Sequence, residues 1–248
     1  MLCSSIARIR RGEIDLRANC STMNLLLYFM LWLAFPAAAA VFTQPNLTVV
    51  PDPDPGPDPG LWRGVHFLAN GFEGKYPYAS AEANVSLRQL VSATNVPAIA
   101  LSFVWYQNMS DTEIRPLPGG TPSGSLYSNA STPTDDELAA TVSLAKDLGL
   151  RVVLRPMVDP DWRFHQASRT RTQIGLHFNE TEWDRWFASY GRYLVRYARL
   201  GAAWGADAFC IGGELNTAQQ QDASRYWAGL YNAVRKELPV GTPVFYSG

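Results

Sequence analysis

The sequence lacks the motifs that would place it in several common classes of protein. No H-E-x-x-H or C-x-x-C pattern occurs, and the three histidines are scattered, so we predict no metal site and no cofactor. No G-x-S-x-G segment occurs, which argues against the nucleophile turn of an α/β-hydrolase. No basic run occurs either, and the formal net charge is −1, so we predict that the chain does not bind nucleic acid.

Cysteine is also scarce, which excludes a fold held together by disulfides. Cys3 and Cys20 precede the processing site predicted below, so the mature domain would keep Cys210 alone. Cys210 lies inside a predicted strand. A cysteine there is most simply a small buried hydrophobic residue.

The longest apolar run, at 25–35, is too short to span a bilayer. Eleven residues rise about 16 Å as a helix, against a bilayer core of roughly 30 Å. Small residues follow at 36–40, so residues 1–40 are predicted to be a signal peptide region, with an uncleaved anchor as the alternative. Translation could start at Met1 or at Met23. We therefore expect a secreted, extracellular protein that does not contact a membrane after cleavage.

Six N-x-S/T sequons occur, and the five that follow the predicted signal peptide region, all but Asn19, also favour the secretory route. With 11 Asn and 31 Ser plus Thr in 248 residues, chance predicts roughly 1.4 sequons. The glycosylation candidates are Asn46, Asn84, Asn108, Asn129 and Asn179. Asn84 is the weakest of them, because it lies inside a predicted helix.

Alternating strand and helix patterns predict a domain of the α/β class. Residues 41–60 contain "PDPDPGPDPG", which is typical of an extended linker, so the globular domain is predicted over 61–248. Apolar runs predict strands at 61–68, 97–106, 150–158, 207–215 and 242–247. Helical periodicity predicts helices at 79–95, 135–149, 182–204 and 222–238. The order βαβαβαβαβ indicates a parallel sheet.

The lengths of the connections favour a (β/α)8 TIM barrel. The two long segments, 107–133 and 159–181, both follow strands, as expected where the catalytic face lies at the carboxyl ends of the strands. A doubly wound sheet is the alternative, but no G-x-G-x-x-G turn follows the first predicted strand. A complete barrel needs eight units and about 250 residues. We therefore expect this chain to hold about four and a half units of a longer protein.

Polar and aromatic residues follow the predicted strands at the face where a barrel has its active site. Rings and hydrogen-bonding groups together suit a polyhydroxylated ligand, because sugar faces stack on rings and hydroxyls need polar partners. The substrate-binding candidates are Trp105, Tyr106, Gln107, Arg155, Asp159, Trp162 and Asn216. His66 ends the first predicted strand, where a hydrogen-bonded core histidine is a simpler interpretation than a ligand contact.

Glu214 is the candidate catalytic residue. Gly212 and Gly213 precede it and allow close approach of backbone or ligand. A carboxyl group partly shielded from water at this position could act as a general acid. The alternative is a structural glutamate paired with an arginine, for which Arg155 on the neighbouring predicted strand is a plausible partner.

Four segments of the chain resemble glycoside hydrolase family 113, whose members are TIM-barrel β-mannanases in the large clan of retaining glycosidases. In chain order they are "ALSFVWYQNMSDTEIRP", "TPTDDELAATVSLAKDLGLRVVLRPMVD", "WFASYGRYLVRYARLGAAWGADAFCIGGEL" and "VFYSG". The resemblance implies that Glu214 is the acid/base at the end of the fourth barrel strand. The nucleophile that it implies, a glutamate after the seventh strand, lies beyond this chain. Gly213 stands where many clan members have Asn, and Met157 where the family often has His.

The resemblance implies that the full-length protein is a retaining endo-β-1,4-mannanase, and that this chain alone is inactive. With the predicted signal peptide we expect that protein to be secreted, and we expect it to be a monomer. Its substrate would be β-mannan or a related β-glycan. Two alternatives stay open: another β-glycanase, or a secreted carbohydrate-binding barrel without hydrolytic activity. A glutamate after the seventh strand would favour an enzyme over a binding protein.

Overall fold

A computed structural model describes residues 8–10, 13–15, 63–68, 77–117, 132–161 and 170–247. Near the amino terminus, β1 (Arg8–Arg10) and β2 (Glu13–Asp15) form a two-stranded antiparallel sheet. The apolar run at 25–35 and the linker at 41–60 lie outside the described residues. Among the described residues, no helix is long and apolar enough to cross a membrane.

The domain is built on a five-stranded parallel sheet whose strands lie side by side in the order of the sequence. The strands are β3 (Val65–Leu68), β4 (Ala98–Gln107), β5 (Arg151–Pro160), β6 (Ala208–Gly213) and β7 (Val244–Ser247). This sheet confirms the prediction of a partial (β/α)8 barrel, in which each strand pairs with the next one along the chain.

Helices follow the first four of these strands. They are α1 (Ala81–Thr94), α2 (Asp135–Asp147), α3 (Glu180–Trp204), α4 (Asn216–Gln219) and α5 (Ala228–Glu237). Thr134 and Glu137 form a capping box at the start of α2. The helix predicted at 222–238 is divided into a π-helical turn, Ala223–Trp227, and α5, and α4 was not predicted.

The main core lies between the sheet and α3. The inward face of α3 carries an aromatic stripe, and its members Trp186, Tyr190 and Tyr193 are at most 1% exposed. These rings therefore belong to the core. A smaller cluster of Val153, Ala208 and Cys210 lies apart from that core, so Cys210 is a buried small residue as predicted.

Three tyrosines of α3 bind three successive strands. The Tyr190 hydroxyl donates to the carbonyl oxygen of Ile211 in β6 at 2.7 Å. The Tyr193 hydroxyl donates to the carbonyl oxygen of Met157 in β5 at 3.1 Å. The Tyr197 hydroxyl accepts from Nε1 of Trp105 in β4 at 3.3 Å. One helix therefore fixes the positions of three neighbouring strands from outside the sheet.

Candidate active site

Polar side chains meet where the strands of the sheet end, and we call this edge the mouth. The pairing of β4 with β5 sets Ser102 beside Arg155 and Tyr106 beside Asp159. Residues two apart in a strand share a face. Ala100 packs with the small cluster rather than with α3, so Ser102 and Tyr106 share that face, which would be the inside of a closed barrel.

The end of β6 is irregular, and its glycines are needed there. Strand pairing between β6 and β7 shifts between Cys210 and Gly213, as in a β-bulge. A Cβ on Gly212, whose φ is 153°, would lie 2.8 Å from the Tyr190 hydroxyl. A Cβ on Gly213 would lie 2.4 Å from Oγ of Ser247. The two glycines thus permit the close approach of neighbouring residues that the sequence predicted.

Glu214 follows this bulge in a left-handed backbone conformation, with φ 59°. Such a conformation is uncommon for residues other than glycine, and backbone strain of this kind is concentrated at functional sites. The turn is held by Tyr246, whose hydroxyl accepts a hydrogen bond from the Leu215 backbone N–H at 2.9 Å. The Glu214 side chain is 58% exposed, so its carboxylate is open to a ligand at the mouth.

The charged partner of Glu214 is Arg171, which the sequence analysis did not select. Nε of Arg171 lies 3.8 Å from Glu214 Oε2 and 2.7 Å from Asp159 Oδ1. Nη2 of Arg171 also donates to Asp159 Oδ2 at 3.1 Å. Burial raises the pKa of Asp159 above its usual value; Arg171 opposes this shift and the charge of Glu214 adds to it. The three side chains therefore form one charged cluster.

Arg155 does not pair with Glu214, so it is not the arginine partner that the structural alternative named; among the described residues that place is taken by Arg171. Nε and Nη2 of Arg155 instead donate to Oγ of Ser247, at 3.2 and 3.1 Å. That hydroxyl in turn donates to the Gly212 carbonyl oxygen at 3.2 Å. Arg155 thus supports the bulge before Glu214, from the inner face of the sheet.

Trp105 and Gln107 lie on the wrong side of β4 for the binding role predicted for them. The Trp105 ring stacks on Tyr193 of α3, with ring centroids 4.7 Å apart. The Gln107 side chain is buried, accepts from Nε1 of Trp186 at 2.6 Å and donates to the Asp111 carbonyl oxygen at 3.1 Å. Both side chains contact residues of the core, so we remove them from the binding candidates.

The other binding candidates differ in how far their side chains are exposed to solvent. Tyr106 is buried, and its pKa is raised by that burial and by the nearby charges of Asp159 and Asp161. Asn216 is exposed and begins α4, two residues after Glu214. Trp162 lies outside the described residues. Of the two that the structure describes, Asn216 is the more accessible at the mouth.

His66 reaches the inner face of the sheet from β3. Its Nδ1 lies 3.3 Å from Oγ of Ser102, so it makes the hydrogen bond that the simpler interpretation predicted. Desolvation lowers its pKa below the usual value, and the positive charge of Arg155 acts in the same direction. Within the described ranges, no three histidine, cysteine or carboxylate side chains are grouped closely enough to hold a metal ion.

Three of the five candidate sequons fall on described residues. Asn84 lies in the first turn of α1 and is half-buried. Asn108 follows β4, and its Oδ1 accepts from both the backbone N–H and the hydroxyl of Ser110. Asn179 is exposed and caps α3. Asn46 and Asn129 lie outside the described residues.

A parallel sheet of this topology, with a carboxylate at the end of its fourth strand, defines part of a (β/α)8 barrel. Residues 65–246 match Glycoside Hydrolase Family 113. The chain therefore belongs to this family, as its sequence resemblance implied.

Solved structures of the same family resemble the chain over about two thirds of its length. One is the GH113 β-mannanase AaManA from Alicyclobacillus acidocaldarius in complex with ManMIm, with 28% identity and a TM-score of 0.54. The matched region covers 68% of this chain and 49% of that structure's chain. Another GH113 β-1,4-mannanase has 26% identity and a TM-score of 0.54, and covers 68% of this chain and 50% of that one. This chain thus spans about half the length of these relatives. None of the curated proteins matches it.

Proposed function

We propose that the chain is the acid/base-bearing half of a secreted, retaining endo-β-1,4-mannanase. Family membership supports a glycoside hydrolase, and the solved relatives are described as β-mannanases. The observation that carries the proposal is Glu214, an exposed carboxylate placed by a strained turn at the end of the fourth barrel strand. The substrate would be β-mannan or a related β-glycan.

Retaining hydrolysis uses two carboxyl groups about 5–5.5 Å apart. In the first step, a carboxylate attacks the anomeric carbon while Glu214 gives its proton to the departing glycosidic oxygen. In the second step, Glu214 takes a proton from a water molecule as that water attacks the anomeric carbon. The bond between the sugar and the attacking carboxylate breaks, and the sugar is released. We assign the attacking carboxylate to a part of the protein that this chain does not contain. The chain alone is then inactive.

Two features of the sequence support secretion. The apolar run at 25–35 is followed by small residues, which suits cleavage of a signal peptide. The sequons exceed the number expected by chance, and the exposed Asn179 offers an accessible attachment site. We propose an extracellular glycoprotein that acts as a monomer at full length.

The test is hydrolysis of β-mannan by the full-length product, expressed in a glycosylating host. General acid–base catalysis contributes about 10²–10⁴-fold, so Glu214→Gln should lower kcat by that factor. Glu237→Gln is the matched control, because Glu237 lies in α5 and pairs with Arg199 on the outer surface. That variant should keep the wild-type rate. Unchanged turnover in Glu214→Gln would contradict the assigned role.

The leaving group separates an acid role from a merely structural one. An aryl β-mannoside with a good leaving group needs no proton to depart, so Glu214→Gln should lose less activity on it than on mannan. Equal losses on both substrates would indicate damage to the site rather than loss of an acid. Parallel assays on glucan and galactan would identify the polysaccharide. Binding to mannan with no hydrolysis by the wild type would favour the carbohydrate-binding alternative.

A further inference from the structure

Arg171 lies between two carboxylates and contacts both. It begins a short 3-10 helix, Arg171–Gln173, in the connection from β5 to α3. Its guanidinium makes two hydrogen-bonded contacts with Asp159, at 2.7 and 3.1 Å. Its Nε lies 3.8 Å from Glu214, which is beyond hydrogen-bonding distance but within reach of the charge. Arg171 is thus bound firmly by Asp159 and loosely by Glu214.

A second contact holds the 3-10 helix beside Glu214. The hydroxyl of Thr217 donates to the carbonyl oxygen of Thr172 at 2.9 Å. Thr217 belongs to α4, which begins two residues after Glu214. The side chain of Arg171 is only 22% exposed, and that of Asp159 only 20%. The guanidinium is therefore held by Asp159 of β5, and the 3-10 helix that carries it is held by α4.

We propose that Arg171 is a positioning residue for Glu214: held by Asp159, it orients the Glu214 carboxylate at the mouth and balances its charge as the proton leaves and returns. This inference rests on the proposed acid/base role of Glu214. It adds a residue from the preceding strand-to-helix connection that acts through Glu214 and does not touch the reacting bond.

The chemistry of the acid/base cycle explains why both neighbours are needed. When Glu214 gives its proton to the glycosidic oxygen, the carboxylate that forms is stabilised by the positive charge of Arg171. Asp159 offsets much of the positive charge of Arg171, because the two side chains are paired. The cluster carries a net charge of −1 with Glu214 ionised and 0 with Glu214 protonated.

Other ionisable groups also face this region, and all stay in place in the test. They come from every barrel strand of the described sheet: His66 in β3, Tyr106 in β4, Arg155 in β5, Cys210 in β6 and Tyr246 in β7. None of them contacts Glu214 as an ion pair within 4 Å among the described residues. Changes at Arg171 and Asp159 therefore isolate the proposed cluster.

The proposal predicts titration shifts of opposite sign for two substitutions in this chain. With glutamate labelled at ¹³Cδ, the Glu214 signal is assigned by its loss in Glu214→Gln and followed against pH. Arg171→Gln removes the positive charge and should raise the Glu214 titration midpoint by roughly half to one pH unit. Asp159→Asn leaves the charge of Arg171 unbalanced and should lower the midpoint. Arg171→Lys keeps the charge and should restore most of the wild-type value.

A purely structural role would not produce opposite shifts. Arg199→Gln is the matched control, because it removes a positive charge from an ion pair with Glu237 on the outer surface. In that variant, the titration midpoint of Glu214 should equal the wild-type value. Midpoints that stay unchanged in Arg171→Gln and in Asp159→Asn, or that move the same way, would overturn the proposal. Arg171→Lys covers the case in which Arg171→Gln does not fold. In that case, a Glu214 midpoint in Asp159→Asn at or above the wild-type value overturns the proposal.

The titration does not depend on hydrolysis, so a negative result in the titration can be distinguished from a failure of the proposed function. Opposite shifts in a protein that does not cleave mannan would sustain the cluster and refute the enzyme assignment. In the full-length enzyme, the alkaline limb of the kcat/KM profile should move in the same directions as the midpoints. Hydrolysis by the wild type with no shift in either variant would refute the role of Arg171 alone.

Discussion

Gly213→Ala tests how tightly the strand that carries Glu214 packs against its neighbour. The added Cβ would lie 2.4 Å from Oγ of Ser247, 2.8 Å from Nη2 of Arg155 and 2.9 Å from the Ser247 carbonyl oxygen. The two side-chain atoms can turn aside. The carbonyl cannot, because Gly213 pairs with Ser247 where β6 meets β7. The two strands would have to move apart at the residue before Glu214.

Overpacking of this kind costs about 1–3 kcal/mol in the free energy of unfolding. Gly229→Ala is the matched control, because residue 229 lies in α5 and a Cβ there would have no atom within 4 Å. That change should instead stabilise the protein by about 0.5–1 kcal/mol, since alanine is the better helix former. Urea denaturation measures both, with equal m-values as the check for comparable unfolding. A Gly213→Ala variant as stable as the wild type would refute the packing argument.

Two further substitutions test the core and the cap of α3. Tyr193→Phe leaves the buried Met157 carbonyl without the hydroxyl that donates to it, and should lower the free energy of unfolding by about 1–3 kcal/mol. Tyr231→Phe is the control, because the Tyr231 ring is exposed, and it should leave the free energy of unfolding unchanged. Asn179→Ala removes the side-chain oxygen that accepts from the Glu182 backbone N–H and should cost about 1 kcal/mol, whereas Asn179→Asp keeps the cap. Both Asn179 variants should lose the same glycan mass in a glycosylating host. Equal stability of the two would show that the cap contributes nothing.

The fold was predictable because its signals are local and agree with one another. Buried parallel strands are apolar on both faces, and the segment at 97–106 has that composition. The helix predicted from residue 135 begins there in the structure, where Thr134 and Glu137 form the capping box. The segment at 216–227 has no comparable periodicity, so α4 and the π-helical turn were not predicted.

Errors at the site came from the same property that made the strands easy to find. A strand that is apolar on both faces does not reveal which face is inside. Trp105 shares its face with Phe103, which packs against Tyr197 of α3, so both rings point outward. Tyr106, one residue later, points the other way. The choice between adjacent residues needed the helix that only the folded chain brings alongside.

Arg171 was missed for a different reason. It lies in a long strand-to-helix connection, where no periodicity predicts the direction of a side chain. Its partner Asp159 was selected as a residue at a strand end, but a binding role was assigned to it rather than an ion pair. The position of Glu214 at the end of a strand was predictable because two glycines and an apolar run precede it, and these signals need no distant partner.

The tyrosine contacts of α3 limit how far the strands can slide past one another. A slip of one residue moves a strand by about 3.3 Å along its axis and turns its side chains to the opposite face. A slip of that size is comparable to the 3.8 Å gap between Arg171 and Glu214. Tyr190 and Tyr193 fix β6, which Glu214 follows, and β5, which carries Asp159, from the face of the sheet that packs on α3. Substitutions on the outer layer of the barrel are therefore a route to tuning the spacing of the two carboxylates without altering any residue at the mouth.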